Sequence, residues 1–246
     1  MKKIIYSIVV LMVISCQKKQ ASPTEEQVSS TTTNTPTLYN GFLTVENITT
    51  WSSGTSITNR YFASATLTQT ASISAAVNPS YNGTVTVNGI ALKAEQIGSY
   101  VSYLDTTSTL NLLTQRNFQL ISTTTLPSFV YSNIDAFPIY PAANGYLIND
   151  TLFKAQNLTL SLSNTSGYDE ASCVIYDISN ASNSIVKVVP QGTTQIIFTT
   201  SDLIGFSTGT TVLCGLSLKK YNTQTFSNKN FRFETSTYNN FYMLVQ

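Results

Sequence analysis

Leu158-Thr159-Leu160-Ser161-Leu162-Ser163 is the stretch whose reading decides the fold. Leucines occupy every second position and small hydroxyl residues fill the gaps. A period of two is the signature of a strand with one face buried and one wet. The same rhythm recurs downstream. Val174, Tyr176 and Ile178 alternate with Cys173, Ile175 and Asp177, and Phe231 and Phe233 alternate with Arg232 and Glu234. Working back toward the start, Val85 and Val87 share one face while Thr84 and Thr86 share the other, and Phe118 and Leu120 point one way.

Turn chemistry agrees with this pattern. Asn-Gly stands at Asn40-Gly41, Asn82-Gly83, Asn88-Gly89 and Asn144-Gly145, each beside β-forming residues. Asn-Gly tolerates positive φ at both positions and suits tight hairpins. Strands are expected near 41–49, 61–69, 83–92, 100–105, 117–122 and 129–134. A second set is expected near 184–189, 194–200, 210–221, 229–235 and 240–245. Pro138 and Pro141 bracket Ile139-Tyr140, and proline cannot donate to a sheet ladder, so a boundary belongs there. One helical turn is expected at Ser201–Phe206, with Ser201 as its cap and Asp202 at its positive end. The fold class is therefore all-β, with one or two antiparallel β-sandwiches. Residues 38–140 form an N-terminal β domain, and residues 141–246 form an immunoglobulin-like sandwich.

The start of the chain has a different character. Lys2 and Lys3 precede an almost unbroken apolar run, Ile4 to Ile14. That run suits a secretory signal and is too short to span a bilayer. Val13-Ile14-Ser15-Cys16 follows, and then the chain turns polar. This resembles the lipobox of bacterial lipoproteins, with Val13 as the aliphatic residue three before the cysteine and Ser15 as the small residue before it. The family more often has leucine at the first of these positions and a smaller residue than Ile14 at the next. The resemblance implies cleavage of residues 1–15, lipidation of Cys16, and anchorage in a cell envelope, with the outer membrane as the expected site. The protein would face the periplasm or the exterior. A single acyl chain holds a protein only marginally, whereas two or three on one residue hold it durably. Residues 16–37 then form the lipidated cysteine and a tether. Gln17–Thr37 has one aliphatic residue, Val28, and no aromatic. Such a stretch buries too little to offset its ordering entropy, and as a coil it reaches roughly 25 Å.

Composition removes whole classes of function. The chain contains no histidine. Histidine-based triads, histidine-ligated zinc and histidine general bases are excluded. Loss of Lys2 and Lys3 with the signal leaves 11 basic against 12 acidic side chains, a net of −1. No basic run exists to attract nucleic acid. Phosphate-binding glycine loops are absent, and no Ser-x-x-Lys stands at a helix start. No cofactor is expected, and no catalytic residue is assigned.

Three constellations remain. Cys173 and Cys214 are 41 positions apart in expected strands. An exported chain meets an oxidising compartment, which permits a disulfide. Alternation, however, sets Cys173 opposite Val174, Tyr176 and Ile178 and so outward, while Cys214 shares the inward face of Val212, Leu216 and Leu218. Cysteines on different faces cannot bond, so this pattern favours two unpaired thiols over the bridge. Asp169-Glu170 in Ser166–Glu170 offers adjacent carboxylates. Such carboxylates can ligate calcium or serve acid–base hydrolysis, though a solvated loop is the plainer reading. Trp51, Tyr238, Phe241 and Tyr242 are aromatics of the kind that stack on sugars, or simply core. Asp105-Thr106-Thr107 and Asp150-Thr151-Leu152 are similar to a short Bacteroidota O-glycosylation acceptor, a pattern that a threonine-rich chain also produces by chance.

Residues 167–245 resemble the C-terminal half of small Bacteroidota lipoproteins with no assigned function. The likeness rests on Gly167–Ile178, Ile196–Phe206 and Asn228–Phe233. Together these features imply a lipid-anchored envelope protein with a non-catalytic binding or structural role. Its partners would be the membrane and either a glycan or an envelope protein. The alternatives are a carboxylate-dependent surface hydrolase and a calcium-dependent adhesion module.

Overall fold

The computed structural model describes residues 38–52, 55–68, 83–97, 100–107, 110, 112, 115–140, 151–180 and 182–246. The signal, Cys16 and the tether lie outside the described residues. Among the described residues, fifteen strands and one short helix follow in chain order. They are β1 (Gly41–Ser52), β2 (Thr55–Leu67), β3 (Gly83–Val87), β4 (Ile90–Ala91), β5 (Lys93–Ile97), β6 (Tyr100–Leu104), β7 (Arg116–Ser122), β8 (Phe129–Asn133), β9 (Thr151–Leu152), β10 (Leu158–Ser161), β11 (Glu170–Asp177), β12 (Ser184–Pro190) and β13 (Gln195–Phe198). Helix α1 (Thr200–Leu203), β14 (Thr211–Phe226) and β15 (Lys229–Val245) complete the chain. Among the described residues no helix is long and apolar enough to cross a membrane.

Nine strands form one sheet in the order β12-β11-β14-β15-β1-β2-β6-β5, with β9 paired to the end of β15. Its axis is the β14–β15 hairpin, turned at Ser227 and Asn228, both with positive φ. The expected strands at 229–235 and 240–245 are one strand, Lys229–Val245. The joint between them, Ser236–Asn239, is polar but still paired to both neighbours. β1 lies parallel to β15, so the first and last of the described strands run side by side with residues 53–228 as their crossover. This departs from a purely antiparallel design.

The alternate residues of β15 explain how one sheet serves two cores. Phe231 and Phe233 enter a core with Leu43, Val45, Val85, Phe118 and Phe129. Phe241, Met243 and Val245 enter another with Leu160, Phe198, Leu203 and Leu216. Between them on the same face sit the buried Thr235, Thr237 and Asn239. The segment after β8 crosses this polar seam: Asn133 Nδ2 donates to Thr235 Oγ1 at 3.1 Å, and Thr237 Oγ1 donates to the Pro138 carbonyl at 2.6 Å. A four-stranded sheet, β4-β3-β7-β8, covers the first core, and the β10–β13 pair with α1 covers the second. The architecture is thus sandwich-like and nearly all β. The large sheet is common to both cores, and Phe226, Phe231 and Phe233 from the far end of the sequence pack in the first of them.

Local chemistry places several elements. Asn88 and Gly89 have φ of 51° and 79° and join Val87 to Ile90 in the expected hairpin. Asn40-Gly41 makes no such turn; Asn40 instead ties Asn230 and Thr68 to the start of β1. The cap of α1 is Thr199, not Ser201. The Thr199 hydroxyl accepts from the Asp202 amide, and the Asp202 carboxylate accepts from the Thr199 amide, a capping box. Burial would raise the Asp202 carboxyl, but Lys187 at 2.5 Å and the Thr199 donors hold it below its usual range.

Arg116 anchors the first core. It is 1 % exposed, donates through Nε to the Leu112 carbonyl at 2.8 Å and through Nη1 to the Asp135 carbonyl, and lies 4.2 Å from the Phe137 ring. Arg116→Met keeps the stem but orphans two carbonyls. It is expected to cost about 2 kcal/mol in a urea melt. A change below about 0.5 kcal/mol would show that water replaces the guanidinium.

Candidate functional site

The second face of the large sheet carries the densest chemistry. Alternation sends Glu46 and Ile48 of β1, Arg60 and Phe62 of β2, and Arg232, Glu234, Ser236, Tyr238 and Asn240 of β15 to this side. Lys219 and Tyr221 of β14 and Glu170 of β11 join them. An apolar stripe of Phe62, Ile48, Tyr238, Leu213, Val174 and Tyr176 crosses the same face.

The charges are arranged in mutual contact. Lys219 Nζ lies 3.7 Å from Glu234 Oε1, with both side chains about one-tenth exposed. Tyr221 donates its phenol proton to Glu170 Oε1 at 2.6 Å, and the Arg232 guanidinium sits 3.2 Å from the Tyr221 ring centroid. Burial, then Glu234 and Glu170, drive the Tyr221 phenol well above its ordinary value. Glu46 is a diagonal neighbour of Glu234, since Glu46 pairs with Ser236 and Thr44 with Glu234. Burial first, and the Glu234 charge second, push the Glu46 carboxyl up to about 7, against the pull of Lys219, Ser236 and Arg60. The cluster therefore holds a carboxyl that exchanges its proton near neutrality beside a second carboxylate and an ammonium.

Next to it is a patch of neutral polar atoms. Tyr176 Oη, Ser217 Oγ, Tyr238 Oη and Asn240 Oδ1 are buried and have no hydrogen-bond partner among the described residues. Two of them, Tyr238 Oη and Asn240 Oδ1, crowd Gly215, whose absent side chain makes room for the Tyr238 phenol. Burial, then the Tyr242 phenol, pushes Tyr176 up to about 12.

The residues singled out from sequence fall as follows. Cys173 and Cys214 are both buried in the second core, with their Sγ atoms 3.5 Å apart and unbonded. The outward assignment of Cys173 was wrong because β11 is buried on both faces, so alternation there does not separate inside from outside. Asp169 Oδ2 accepts from the Tyr221 amide at 2.8 Å, and Glu170 is taken up by Tyr221 as above. Among the described residues no group of three or more Cys, Asp or Glu side chains is placed to hold a metal. Tyr238 and Phe241 are buried on opposite faces, so they make no common stacking platform; the Trp51 side chain lies outside the described residues. Asp105 Oδ1 accepts from the Thr107 amide and hydroxyl, a local turn, and Asp150 lies outside the described residues.

Glu46, Lys219 and Glu234 were missed from sequence. They are far apart along the chain, and a signal existed only in their placement: charges on the alternate positions of otherwise apolar strands. Compared with known proteins, the chain matches no family model, no curated protein and no solved structure.

Proposed function

We propose that this is a lipid-anchored protein of a bacterial cell envelope whose β body has a non-catalytic binding or structural role. The observation that carries the reading is Val13-Ile14-Ser15-Cys16 at the end of an apolar run. Support comes from the order of parts: an apolar leader, a cysteine, a polar tether, and then an all-β body whose first strand opens at Gly41. The charged end of the second face of the large sheet, where Glu46, Arg60, Glu170, Tyr221, Arg232 and Glu234 are half-buried and keep some access to solvent, is the surface assigned to a partner. The half-buried Phe42 and Tyr221 rings there suit a glycan, and the charge pairs suit an envelope protein.

Cys16→Ala is expected to abolish labelling by a radioactive or clickable fatty acid and to move the protein from the membrane to the soluble fraction. Equal labelling of wild type and variant would overturn the anchor. A specific observation keeps the hydrolase alternative in view: Glu46 and Glu234 are diagonal neighbours on the paired strands β1 and β15, with Lys219 beside Glu234 from β14. Turnover of a glycoside by wild type and its loss in both Glu46→Gln and Glu234→Gln would move the assignment there.

A further inference from the structure

With Cys16 given to the lipid, the chain has two thiols left, and the fold brings them together. Cys173 lies mid-way along β11, opposite Leu216, while Cys214 lies on β14, opposite Ile175. They are diagonal neighbours on the same face of adjacent antiparallel strands. Diagonal positions usually hold their side chains well apart, but here the Sγ atoms approach to 3.5 Å. A disulfide needs about 2.05 Å, so each sulfur has to travel roughly 0.7 Å, a distance that a small rotation about χ1 supplies. This is a bridge within one sheet, unlike the bridge between sheets of an immunoglobulin domain.

We propose that Cys173 and Cys214 close to a cross-strand disulfide when the exported chain folds in the presence of a disulfide-class oxidant, either a thiol oxidoreductase or a small-molecule disulfide. One cysteine loses its proton and its thiolate attacks the oxidant's S–S bond, expelling one oxidant thiol and leaving a mixed disulfide. The second cysteine then loses its proton and attacks the protein-side sulfur, expelling the other oxidant thiol. Two S–H bonds and one S–S bond are broken; one protein S–S bond and two oxidant S–H bonds form. Two electrons pass to the oxidant. Both thiols are at most 1 % exposed. Burial, together with the Cys214 thiol, also holds Cys173 in its protonated form. The reaction therefore belongs to folding, before β11 and β14 seal the core. Once closed, the same burial keeps reductants out. The bridge encloses β12, β13 and α1, fastening the edge of the large sheet to its axis.

This inference rests on the export reading, and its test separates the two. Wild-type protein is extracted from membranes, unfolded in guanidinium with iodoacetamide, and weighed by mass spectrometry with and without prior reduction. The expected result is no alkylated Cys173 or Cys214 before reduction and both alkylated after it. Cys173→Ala should show one alkylated thiol without reduction and unfold about 5–10 °C lower. Two alkylated thiols in membrane-bound, cooperatively folded protein would defeat the pairing and leave the anchor. A paired but unacylated protein would defeat the anchor and leave the pairing.

Discussion

Glu46→Gln is expected to stabilise the protein at pH 8 and to leave its stability unchanged near pH 4. The folded-state carboxyl titrates at about 7, against an ordinary value of 4.5, because burial and the Glu234 charge oppose ionisation. A raised carboxyl makes the folded state the tighter proton binder between those two values. Stability is then full below pH 4.5, falls as pH rises from 4.5 to 7, and is level above. One unit corresponds to about 1.4 kcal/mol, so a shift of this size is worth on the order of 3 kcal/mol. Glu46 is closely surrounded by protein yet retains some solvent access, which lowers the figure toward 2 kcal/mol. Glutamine mimics the protonated acid and removes the pH-dependent loss. Urea melts of both proteins from pH 4 to pH 9 should show a difference that grows through this window and then levels off. A difference independent of pH would mean that Glu46 ionises freely and that the cluster is looser than its contacts indicate.

The fold was legible wherever a strand has one wet face. Leu158–Ser163 alternates because β10 has a core on one side only, and Val85 and Val87 behave likewise in β3. Reading failed in the large sheet for a physical reason. β11, β14 and β15 are buried on both faces over much of their length, so polarity no longer reports direction. Cys173 was misplaced on that account, and Ser236–Asn239 looked like a break between two strands when it is the seam between two cores. The Ser227-Asn228 turn was not anticipated, since serine lacks the preference for positive φ that marks Asn-Gly.

The site was less legible than the fold. Glu46 and Glu234 come from strands at opposite ends of the chain, made neighbours by the parallel pairing of β1 with β15. A parallel pair whose crossover is residues 53–228 leaves no local trace in sequence. Asp169-Glu170, by contrast, was noticed because its carboxylates are adjacent. The structure gives each a protein donor from Tyr221, which makes the pair part of the β11–β14 junction. Asp169 closes the strand end through the backbone, while Glu170 reaches into the charged face.

Gly215→Val is expected to be among the most damaging substitutions in the body, costing about 3 kcal/mol or more in an equilibrium melt. A Cβ at residue 215 would stand 2.0 Å from Tyr238 Oη and 2.7 Å from Cζ of the same ring. Tyr238 is 2 % exposed and packed into the apolar stripe, so it has little room to withdraw. Overpacking of this kind typically costs 1–3 kcal/mol, and valine adds two methyl groups beyond the clashing carbon. Tyr238→Phe acts in the other direction. The hydroxyl it removes is buried and has no partner among the described residues, so its loss should raise stability by about 1 kcal/mol. The two changes must couple, because the atom deleted by one is the nearest obstacle to the other. Gly215→Ala combined with Tyr238→Phe should cost less than the sum of the single effects, by about 1 kcal/mol, with the remaining ring carbon preventing full rescue. Additive effects in that double-mutant cycle would place the Tyr238 phenol away from Gly215, and the polar patch that distinguishes this face of the sheet would have to be redrawn.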